Sequence, residues 1–197
     1  MFITFEGPDG SGKTTQLALL VESLRSLGHE VVATREPGGT PLGEAIRDLV
    51  LHGLEMSPWA EATLFASARA EHVESVIRPA LVRGAWVVCD RYVDSSLAYQ
   101  GIARGLGVER VLELNRAVTG GLMPDLTFVL LLDPASSRSR QGDYLDRIER
   151  EDVGFQTAVA AAYGELAALF PARIVALDGS QPPDEIAEKV SERVRAL

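Results

Sequence analysis

The chain has 197 residues, of which 46% are hydrophobic and 24% are charged, and it contains 18 glycines and 10 prolines. These proportions exclude a disordered or collagen-like chain and fit one globular domain with a substantial core. The apolar runs fall short of the roughly 18 residues that a membrane-spanning helix needs, and Glu6 interrupts the N-terminal run before a signal-peptide core could form. The single cysteine, Cys89, offers no internal disulfide or zinc cluster. We therefore expect a cytoplasmic protein that does not associate with a membrane.

The charge balance restricts the ligands that the protein could bind. The formal net charge is −9, whereas a surface that binds nucleic acid normally carries an excess of positive charge, so we expect no nucleic-acid partner. The chain has 19 basic residues, and all of them are arginines except Lys13 and Lys189. The planar guanidinium group can hold a phosphate through two parallel hydrogen bonds, although genome composition would produce the same excess of arginine.

Strand and helix patterns alternate along the chain with no internal repeat or linker, which predicts a single α/β domain around a parallel sheet. Five short apolar runs predict the strands. Most of these runs are continuous rather than alternating, as is typical of strands that are covered on both faces. The five runs are Phe2–Phe5, Val31–Ala33, Trp86–Cys89, Phe128–Leu132 and Ile174–Leu177.

Apolar residues at helical spacing predict the helices between these strands. The first helix begins near Lys13, and Gly28 ends it. The second begins at Pro58 with Ser57 as its cap and runs towards Arg83 and Gly84, and we expect Pro79 to kink or break its last turns. Two further helical patterns cover residues 155–170 and 186–194.

A glycine-rich segment lies between the first strand and the first helix. Its residues satisfy the pattern GxxxxGK[ST], in which loop amides and the helix N-terminus cradle nucleotide phosphates. In this pattern Lys13 bridges the terminal phosphates and the hydroxyl group of Thr14 holds magnesium. A turn that binds no ligand would need neither the lysine nor the hydroxyl group. The expected ATP-binding residues are Gly7, Pro8, Asp9, Gly10, Ser11, Gly12, Lys13, Thr14 and Thr15.

A metal-coordinating carboxylate is expected at the end of a second apolar strand. Asp90 and Asp133 both end such a run, and spacing does not choose between them. Many polar residues follow Asp90 at once, whereas Pro134 directly after Asp133 indicates a cap or a turn. We therefore favour Asp90 as the second metal-binding residue.

A phosphate loop occurs in several functional classes. A GTPase switch would normally carry an Asn-Lys-x-Asp element that reads guanine, and the sequence contains none. An ATP-driven regulatory switch is harder to exclude, but it would not need arginines near several strand ends, where the ligand crevice of an open α/β sheet lies. The arginines favour transfer between two phosphorylated molecules. Those near predicted strand ends or on adjoining helices are Arg35, Arg47, Arg69 and Arg91.

Three motifs occur in order along the chain, at residues 5–14 (FEGPDGSGKT), 34–40 (TREPGGT) and 90–101 (DRYVDSSLAYQG). Together they resemble the successive signatures of bacterial thymidylate kinases, which are P-loop nucleoside monophosphate kinases. The resemblance extends over nearly the whole chain. It implies a P-loop NTPase fold with a five-stranded parallel sheet flanked by helices on both faces. It also implies a single domain over residues 1–197, a short lid at about 134–147 and a homodimer.

The resemblance implies transfer of the γ-phosphoryl group of ATP to dTMP, giving dTDP and ADP, with Mg²⁺ as cofactor. Lys13 would neutralise charge on the transferring group. Arg47, Arg69 and Arg91 would orient the acceptor phosphate. Thr14 would bind the metal directly, and Asp90 would act through its water shell, with Glu36 as a further candidate for that role. A loose phosphoryl-transfer transition state gains most from such positioning and charge stabilisation. The open alternatives are a phosphoryl transferase for another nucleoside or nucleotide and an ATP-driven regulatory switch.

The resemblance also implies a catalytic arginine in the lid. Members of the family that lack a basic residue directly after the loop aspartate generally supply such an arginine, and here Gly10 follows Asp9. Arg138 and Arg140 are both candidates. Serines and Gly142 weaken any helix in this segment, so the sequence does not choose between them.

The acceptor site follows from the same resemblance. Asp9 would accept a hydrogen bond from the deoxyribose 3′-hydroxyl group, Phe65 would stack on thymine, and Gln100 would bond the base edge. On spacing alone, Phe65 would serve equally well as a core residue. Tyr99 would crowd a 2′-hydroxyl group, and the sequence leaves both isomers of the Glu36–Pro37 bond open. The implied acceptor-binding residues are Asp9, Glu36, Arg47, Phe65, Arg69, Arg91, Ser96, Tyr99 and Gln100.

Overall fold

A computed structural model describes residues 1–140, 142 and 145–196. A five-stranded sheet forms its centre, with the strand order β2-β3-β1-β4-β5 and every neighbouring pair parallel. The predicted α/β fold and its five-stranded parallel sheet are confirmed, and each strand lies within two residues of its predicted bounds. The strands are β1 (Phe2–Glu6), β2 (Val31–Arg35), β3 (Trp86–Asp90), β4 (Leu126–Leu131) and β5 (Ile174–Asp178).

Helices connect the strands, and two π-helical turns, Val73–Ile77 and Leu97–Ala103, continue the third and fifth of them. None of the described helices combines the length and the apolar character needed to cross a bilayer. In chain order the helices are α1 (Lys13–Ser26), α2 (Pro41–His52), α3 (Pro58–His72), α4 (Arg78–Val82), α5 (Val93–Ser96), α6 (Val108–Thr119), α7 (Pro134–Arg140), α8 (Val153–Leu169) and α9 (Pro183–Arg195).

The sheet separates two hydrophobic cores, so helices cover both of its faces as predicted. On one face, Leu20 of α1 and Val190 of α9 belong to the core that includes Phe5 of β1. On the other face, α2, α3, α6 and α8 contribute to a larger core that includes Val50 and Tyr163. Burial of each large apolar side chain stabilises the fold by about 1.5–3 kcal/mol. The central strand β1 is buried at every position, whereas the edge strands β2 and β5 alternate between buried and more exposed residues.

The helix predicted from Pro58 begins there, and the Ser57 hydroxyl group accepts a hydrogen bond from the Ala60 amide at 3.3 Å. Pro79 does not break it. The chain instead passes through the π-helical turn Val73–Ile77 and continues as α4. Proline lacks an N–H group and clashes with the preceding turn, and a wider π-helical turn at that point accommodates both effects.

The lid segment contains a regular helix, α7, so the prediction that its serines would weaken a helix is corrected. The Asp133 side chain caps this helix, because Oδ1 accepts a hydrogen bond from the Ser136 amide at 2.9 Å. The Ser139 hydroxyl group bonds back to the Ser136 carbonyl at 2.8 Å. Three residues of the predicted lid at 134–147 lie outside the described residues, namely Gln141, Asp143 and Tyr144.

Candidate active site

The phosphate loop, residues 7–12, connects β1 to α1 at the carboxyl edge of the parallel sheet. Gly7 has a φ of 135°, and a Cβ atom there would lie 2.5 Å from the Leu130 carbonyl oxygen. Gly12 has a φ of 97° and directly precedes α1. Glycine suits both positions because it adopts positive φ without steric cost. The loop therefore leads into the N-terminus of α1, whose free amides favour an anion.

Lys13 begins α1 and is buried against the loop. Its Nζ donates hydrogen bonds to the Gly7 carbonyl at 3.1 Å and the Pro8 carbonyl at 2.8 Å. Burial, followed by the positive charge of Arg91, lowers the pKa of Lys13 to about 8. A phosphate bound at the loop would favour the charged form and raise this pKa.

Thr14 and Asp90 meet beside the loop. The Thr14 hydroxyl group donates a hydrogen bond to Asp90 Oδ2 at 2.8 Å, and both residues line a large cleft. A hydroxyl oxygen next to a carboxylate oxygen fits a hard divalent cation of the kind that normally accompanies ATP. Asp133 caps α7 instead, so the structure places the favoured candidate at the cleft. The metal-binding roles of Thr14 and Asp90 stay predictions.

Asp9 and Arg91 form an ion pair at the centre of the site. Arg91 Nη2 lies 2.5 Å from Asp9 Oδ1, and Lys13 Nζ lies 3.9 Å from the same oxygen. Burial alone would raise the pKa of Asp9, but the charges of Arg91 and Lys13 outweigh this effect and lower it to about 2. Asp9 is therefore an anion at neutral pH that can only accept hydrogen bonds. The Tyr99 hydroxyl group donates to its second oxygen at 3.4 Å.

Arg91 has an unusual backbone conformation, with a φ of 69°. Residues other than glycine rarely adopt this left-handed region, which carries local strain. A hydrogen-bond network holds the side chain, because Arg91 Nη1 donates to Ser95 Oγ and to the Tyr163 hydroxyl group, both at 3.0 Å. Ser95 in turn donates to Glu6 at 2.6 Å. Sequence reasoning missed the parts that Tyr163 and Glu6 play in aiming the guanidinium group at Asp9.

A smaller pocket adjoins the large cleft and shares part of its lining. Every residue predicted to bind the acceptor lines this pocket. Four of them, Asp9, Glu36, Arg47 and Arg91, also line the cleft that contains the phosphate loop. Ligands in the two cavities would therefore meet at these four side chains.

Buried partners hold Glu36 in the pocket. Arg69 Nε donates to one carboxylate oxygen at 2.7 Å, and His72 Nδ1 lies 3.0 Å from the other. Arg69 also donates to Ser96 Oγ at 3.0 Å, to Asn115 Oδ1 and to a backbone carbonyl. These bonds leave one Nη2 hydrogen of Arg69 without an acceptor among the described residues. Arg69 therefore holds Glu36 and Ser96 in place at the wall of the pocket.

The loop after β2 carries Glu36 to the pocket. The Glu36–Pro37 peptide bond is cis, which is one of the two isomers that the sequence leaves open. Arg47 of α2 donates from Nη1 to the Pro37 carbonyl at 3.0 Å. α2 is capped by the Thr40 hydroxyl group, which accepts a hydrogen bond from the Gly43 amide at 2.9 Å. The cap and the Arg47 bond together fix this loop against α2.

Phe65 and Gln100 line the pocket from α3 and from the π-helical turn after α5. Phe65 is half-buried and packs against the core while it also borders the pocket. Gln100 Nε2 donates a hydrogen bond to Glu61 at 2.9 Å. Glu61 also accepts from Arg104 and Arg147. Sequence reasoning missed Glu61, since no pattern in the sequence places it next to Gln100.

α7 packs on the phosphate loop. Arg140 Nη1 donates to the Gly179 carbonyl at 3.1 Å and to the Gly10 carbonyl at 3.4 Å, and Arg140 lines the large cleft. The Ser137 hydroxyl group donates to the Asp9 carbonyl. α7 thus brings a cation of the lid to the edge of the phosphate site.

Arg138 is placed differently, although it lies on the same short helix. Both arginines are exposed, but Arg138 bonds the Gly142 carbonyl at 3.4 Å and lines neither of the two cavities. Successive positions of a helix face different directions, so α7 can present only one of the two arginines to the cleft. The geometry favours Arg140 over Arg138, and the catalytic role stays a prediction.

The fold and the site define a phosphate-loop nucleotide-binding protein, and its second pocket is typical of an enzyme that transfers a phosphoryl group. A family model described as thymidylate kinase matches residues 5–190. A thymidylate kinase of Synechococcus sp. (strain JA-3-3Ab) is 51% identical over 192 residues, which cover 96% of this chain and 93% of the relative. A thymidylate kinase of Deinococcus radiodurans is 48% identical over 193 residues, which cover 96% of this chain and 94% of the relative. The chain belongs to the thymidylate kinase family, as its three motifs predict.

Proposed function

We propose that this protein transfers the γ-phosphoryl group of ATP to dTMP, giving dTDP and ADP, with Mg²⁺ as the divalent cation. One observation carries the proposal: Asp9, Glu36, Arg47 and Arg91 line both the phosphate-loop cleft and the adjoining pocket. A donor phosphate on the loop and an acceptor phosphate in the pocket would therefore approach each other over shared charges. Membership of the thymidylate kinase family supports dTMP as the acceptor.

On the donor side, the loop amides and the N-terminus of α1 bind phosphate oxygens. Lys13 and Arg140 neutralise charge on the transferring group, which is the main requirement of a loose phosphoryl-transfer transition state. Thr14 would hold the cation directly and Asp90 through its water shell. A bound Mg²⁺ neutralises charge on the phosphate oxygens. No general base is needed, because the acceptor phosphate is already an oxyanion at neutral pH.

On the acceptor side, the arginines at the junction of the cavities orient the acceptor phosphate. Anionic Asp9 accepts a hydrogen bond from the deoxyribose 3′-hydroxyl group. Tyr99, whose hydroxyl group donates to Asp9 at 3.4 Å, crowds the 2′ position and disfavours a ribonucleotide. Phe65 stacks on the base, and Gln100 bonds its edge. The pocket thus selects the sugar and the base separately.

We also propose that the protein is a homodimer in the cytoplasm. The resemblance to the family implies the dimer, and the substrates are intracellular nucleotides. Leu42 and Leu49 of α2 and Trp59 of α3 are large apolar side chains that remain at least 36% exposed, and contact with a second copy would bury them. Sedimentation velocity at micromolar concentration tests the dimer.

The test of the activity is ADP formation from ATP and Mg²⁺ with dTMP, dUMP, UMP, dCMP, AMP or no acceptor, with the nucleotide products identified. We expect strong stimulation by dTMP and dTDP as the product. ADP release without an acceptor would instead favour an ATP-driven switch. Preference for another monophosphate would keep the phosphoryl transfer and replace dTMP as the acceptor.

A further inference from the structure

Glu61 is a buried carboxylate behind the acceptor pocket. It lies in the first turn of α3, is 1% exposed and lines neither cavity. Gln100 Nε2 at 2.9 Å and Arg104 Nε at 3.2 Å donate to Oε1. Arg104 Nη2 at 3.1 Å and Arg147 Nη2 at 2.6 Å donate to Oε2. The roles assigned above to the pocket residues do not use this carboxylate.

The side-chain amide of Gln100 has two ends of opposite character, because Nε2 only donates hydrogen bonds and Oε1 only accepts them. Burial alone would raise the pKa of Glu61, but hydrogen bonds from Arg104, Gln100 and Arg147 lower it below its ordinary value. Glu61 is therefore ionised at neutral pH and accepts only, which turns Nε2 of Gln100 toward it. The oxygen Oε1 remains for the pocket that Gln100 lines, and no donor among the described residues reaches it.

We propose that Glu61 is a positioning residue for base selection, which holds the Gln100 amide with its carbonyl oxygen toward the acceptor pocket. Because it concerns the base of the acceptor, this inference rests on the proposed function. A carbonyl oxygen in this place accepts the N3–H of thymine or uracil. It repels cytosine, whose N3 is an acceptor. A residue that does not touch the base thus decides which hydrogen-bonding edge the pocket accepts.

The same carboxylate is itself prevented from turning. Arg147 donates from Nε to the Val50 carbonyl at 2.9 Å as well as to Glu61. Its neighbours Asp146 and Ile148 line the pocket. The two guanidinium groups on Glu61 therefore tie it to the pocket wall and to the end of the π-helical turn, so the orientation of the Gln100 amide is fixed relative to the site of the base.

Glu61→Gln tests this orientation because it preserves size and removes charge. Arg104 Nη2 and Arg147 Nη2 both donate to Oε2, and arginine only donates, so the carbonyl oxygen of the substituted side chain would take the place of Oε2. Its NH₂ group would then face Gln100 and Arg104 Nε. Gln100 would then turn its oxygen inward and its NH₂ group toward the pocket. We expect the ratio of kcat/KM for dTMP to that for dCMP to fall by about tenfold or more.

The ratio of two substrates on one protein preparation does not depend on the active fraction, so simple destabilisation leaves it unchanged. Glu151→Gln is the matched control, because Glu151 bonds the same Arg104 at 2.6 Å and has no bond to Gln100. We expect the wild-type ratio in this variant. In a Gln100→Ala background, adding Glu61→Gln should change the ratio no further, because the amide through which Glu61 acts is gone.

The wild-type protein supplies a second test that holds even if Glu61→Gln does not fold. A dTMP analogue with C–H in place of N3–H should lose about tenfold or more in kcat/KM, and turnover equal to that of dTMP would overturn the proposal. A folded Glu61→Gln variant that keeps the wild-type dTMP:dCMP ratio would also overturn it. If the wild-type protein does not phosphorylate dTMP, the proposed function itself fails and this inference fails with it.

Discussion

The donor cleft and the acceptor pocket adjoin each other but are built in different ways. The phosphate-binding part of the donor cleft is the contiguous loop and the start of α1, and side chains from β2, the segment after it, α2 and the end of β3 complete the lining together with Arg140. Much of its binding capacity lies in backbone amides. The acceptor pocket draws on α2, α3, the segments after β2 and β3, and residues 146–148. A site built from backbone can be recognised in a short motif, whereas a site built from dispersed side chains depends on the partners that orient them.

The two regions also differ in how charge is balanced. Lys13 in the donor cleft bonds two carbonyl oxygens and has a pKa lowered to about 8, first by burial and then by a neighbouring cation. On the acceptor side, Arg69 bonds Glu36 in the pocket at 2.7 Å and Arg147 bonds Glu61 behind the pocket at 2.6 Å, with all four side chains buried. Removing one partner of such a pair typically costs about 3–5 kcal/mol of stability. Donor-side substitutions should therefore change rate, and acceptor-side substitutions should also change stability.

Lys13→Ala should have the largest effect, and it should impair the donor side of the site without changing the acceptor side. We expect kcat to fall by about 10³-fold or more, because charge on the transferring group is no longer neutralised. Circular dichroism should show an intact fold. Lys189→Ala is the matched control, since Lys189 is exposed and Gln181 is its one hydrogen-bond partner among the described residues. The activity of this variant should equal that of the wild type. Near-normal turnover by a folded Lys13→Ala variant would contradict the assignment of the loop.

Arg140→Ala should have the next largest effect and tests which arginine of α7 acts in the donor cleft. We expect kcat to fall by about 10²-fold, since Arg140 lines the donor cleft and adds positive charge beside the transferring group. Arg138→Ala is the control on the same helix and should stay within about threefold of the wild type. The measurement is the steady-state kcat of both variants. Equal losses in the two variants would contradict the placement of α7.

Gln100→Ala should have a smaller effect that is confined to the acceptor side. We expect discrimination between dTMP and dCMP to weaken by about 1–3 kcal/mol, because the base edge loses its hydrogen-bond partner. The measurement is kcat/KM for each acceptor at saturating ATP. The KM for ATP serves as an internal control and should not change. Unchanged acceptor ratios would assign Gln100 a purely structural role.

The smallest effect should appear when the pH rises from 8 to 9. Lys13 has a pKa of about 8, so it is charged below that pH and loses its proton above it. We expect kcat/KM for ATP to fall about tenfold per pH unit above pH 8, because a neutral amine does not offset phosphate charge. Bound phosphates raise the pKa of Lys13, so kcat should stay level to a higher pH. A value of kcat/KM that stays level to about pH 10 would contradict this reading of Lys13.

Much of the fold could be predicted because local patterns specify it. Continuous apolar runs predict buried parallel strands, and Gly28 and Pro171 mark helix ends. α2 was missed, although Thr40 followed by Pro41 is a typical cap and first residue of a helix. α6 was missed as well, and there the N-cap position is Gly107, which makes no side-chain bond. We expected only a weak helix in the lid, because serines disfavour helix interiors. The Asp133 side chain caps α7 and compensates for this effect.

By itself, the sequence determined the family resemblance, the α/β class and the donor side of the site, since the glycines of the loop and its lysine act through local conformation. Only the tertiary structure decided which carboxylate meets Thr14, which lid arginine reaches the cleft and which partner orients Gln100. Thr14 and Asp90 lie 76 positions apart, and Gln100 and Glu61 lie 39 positions apart. Such pairs depend on how buried donors and acceptors are satisfied when distant segments pack together, and no local pattern encodes that outcome.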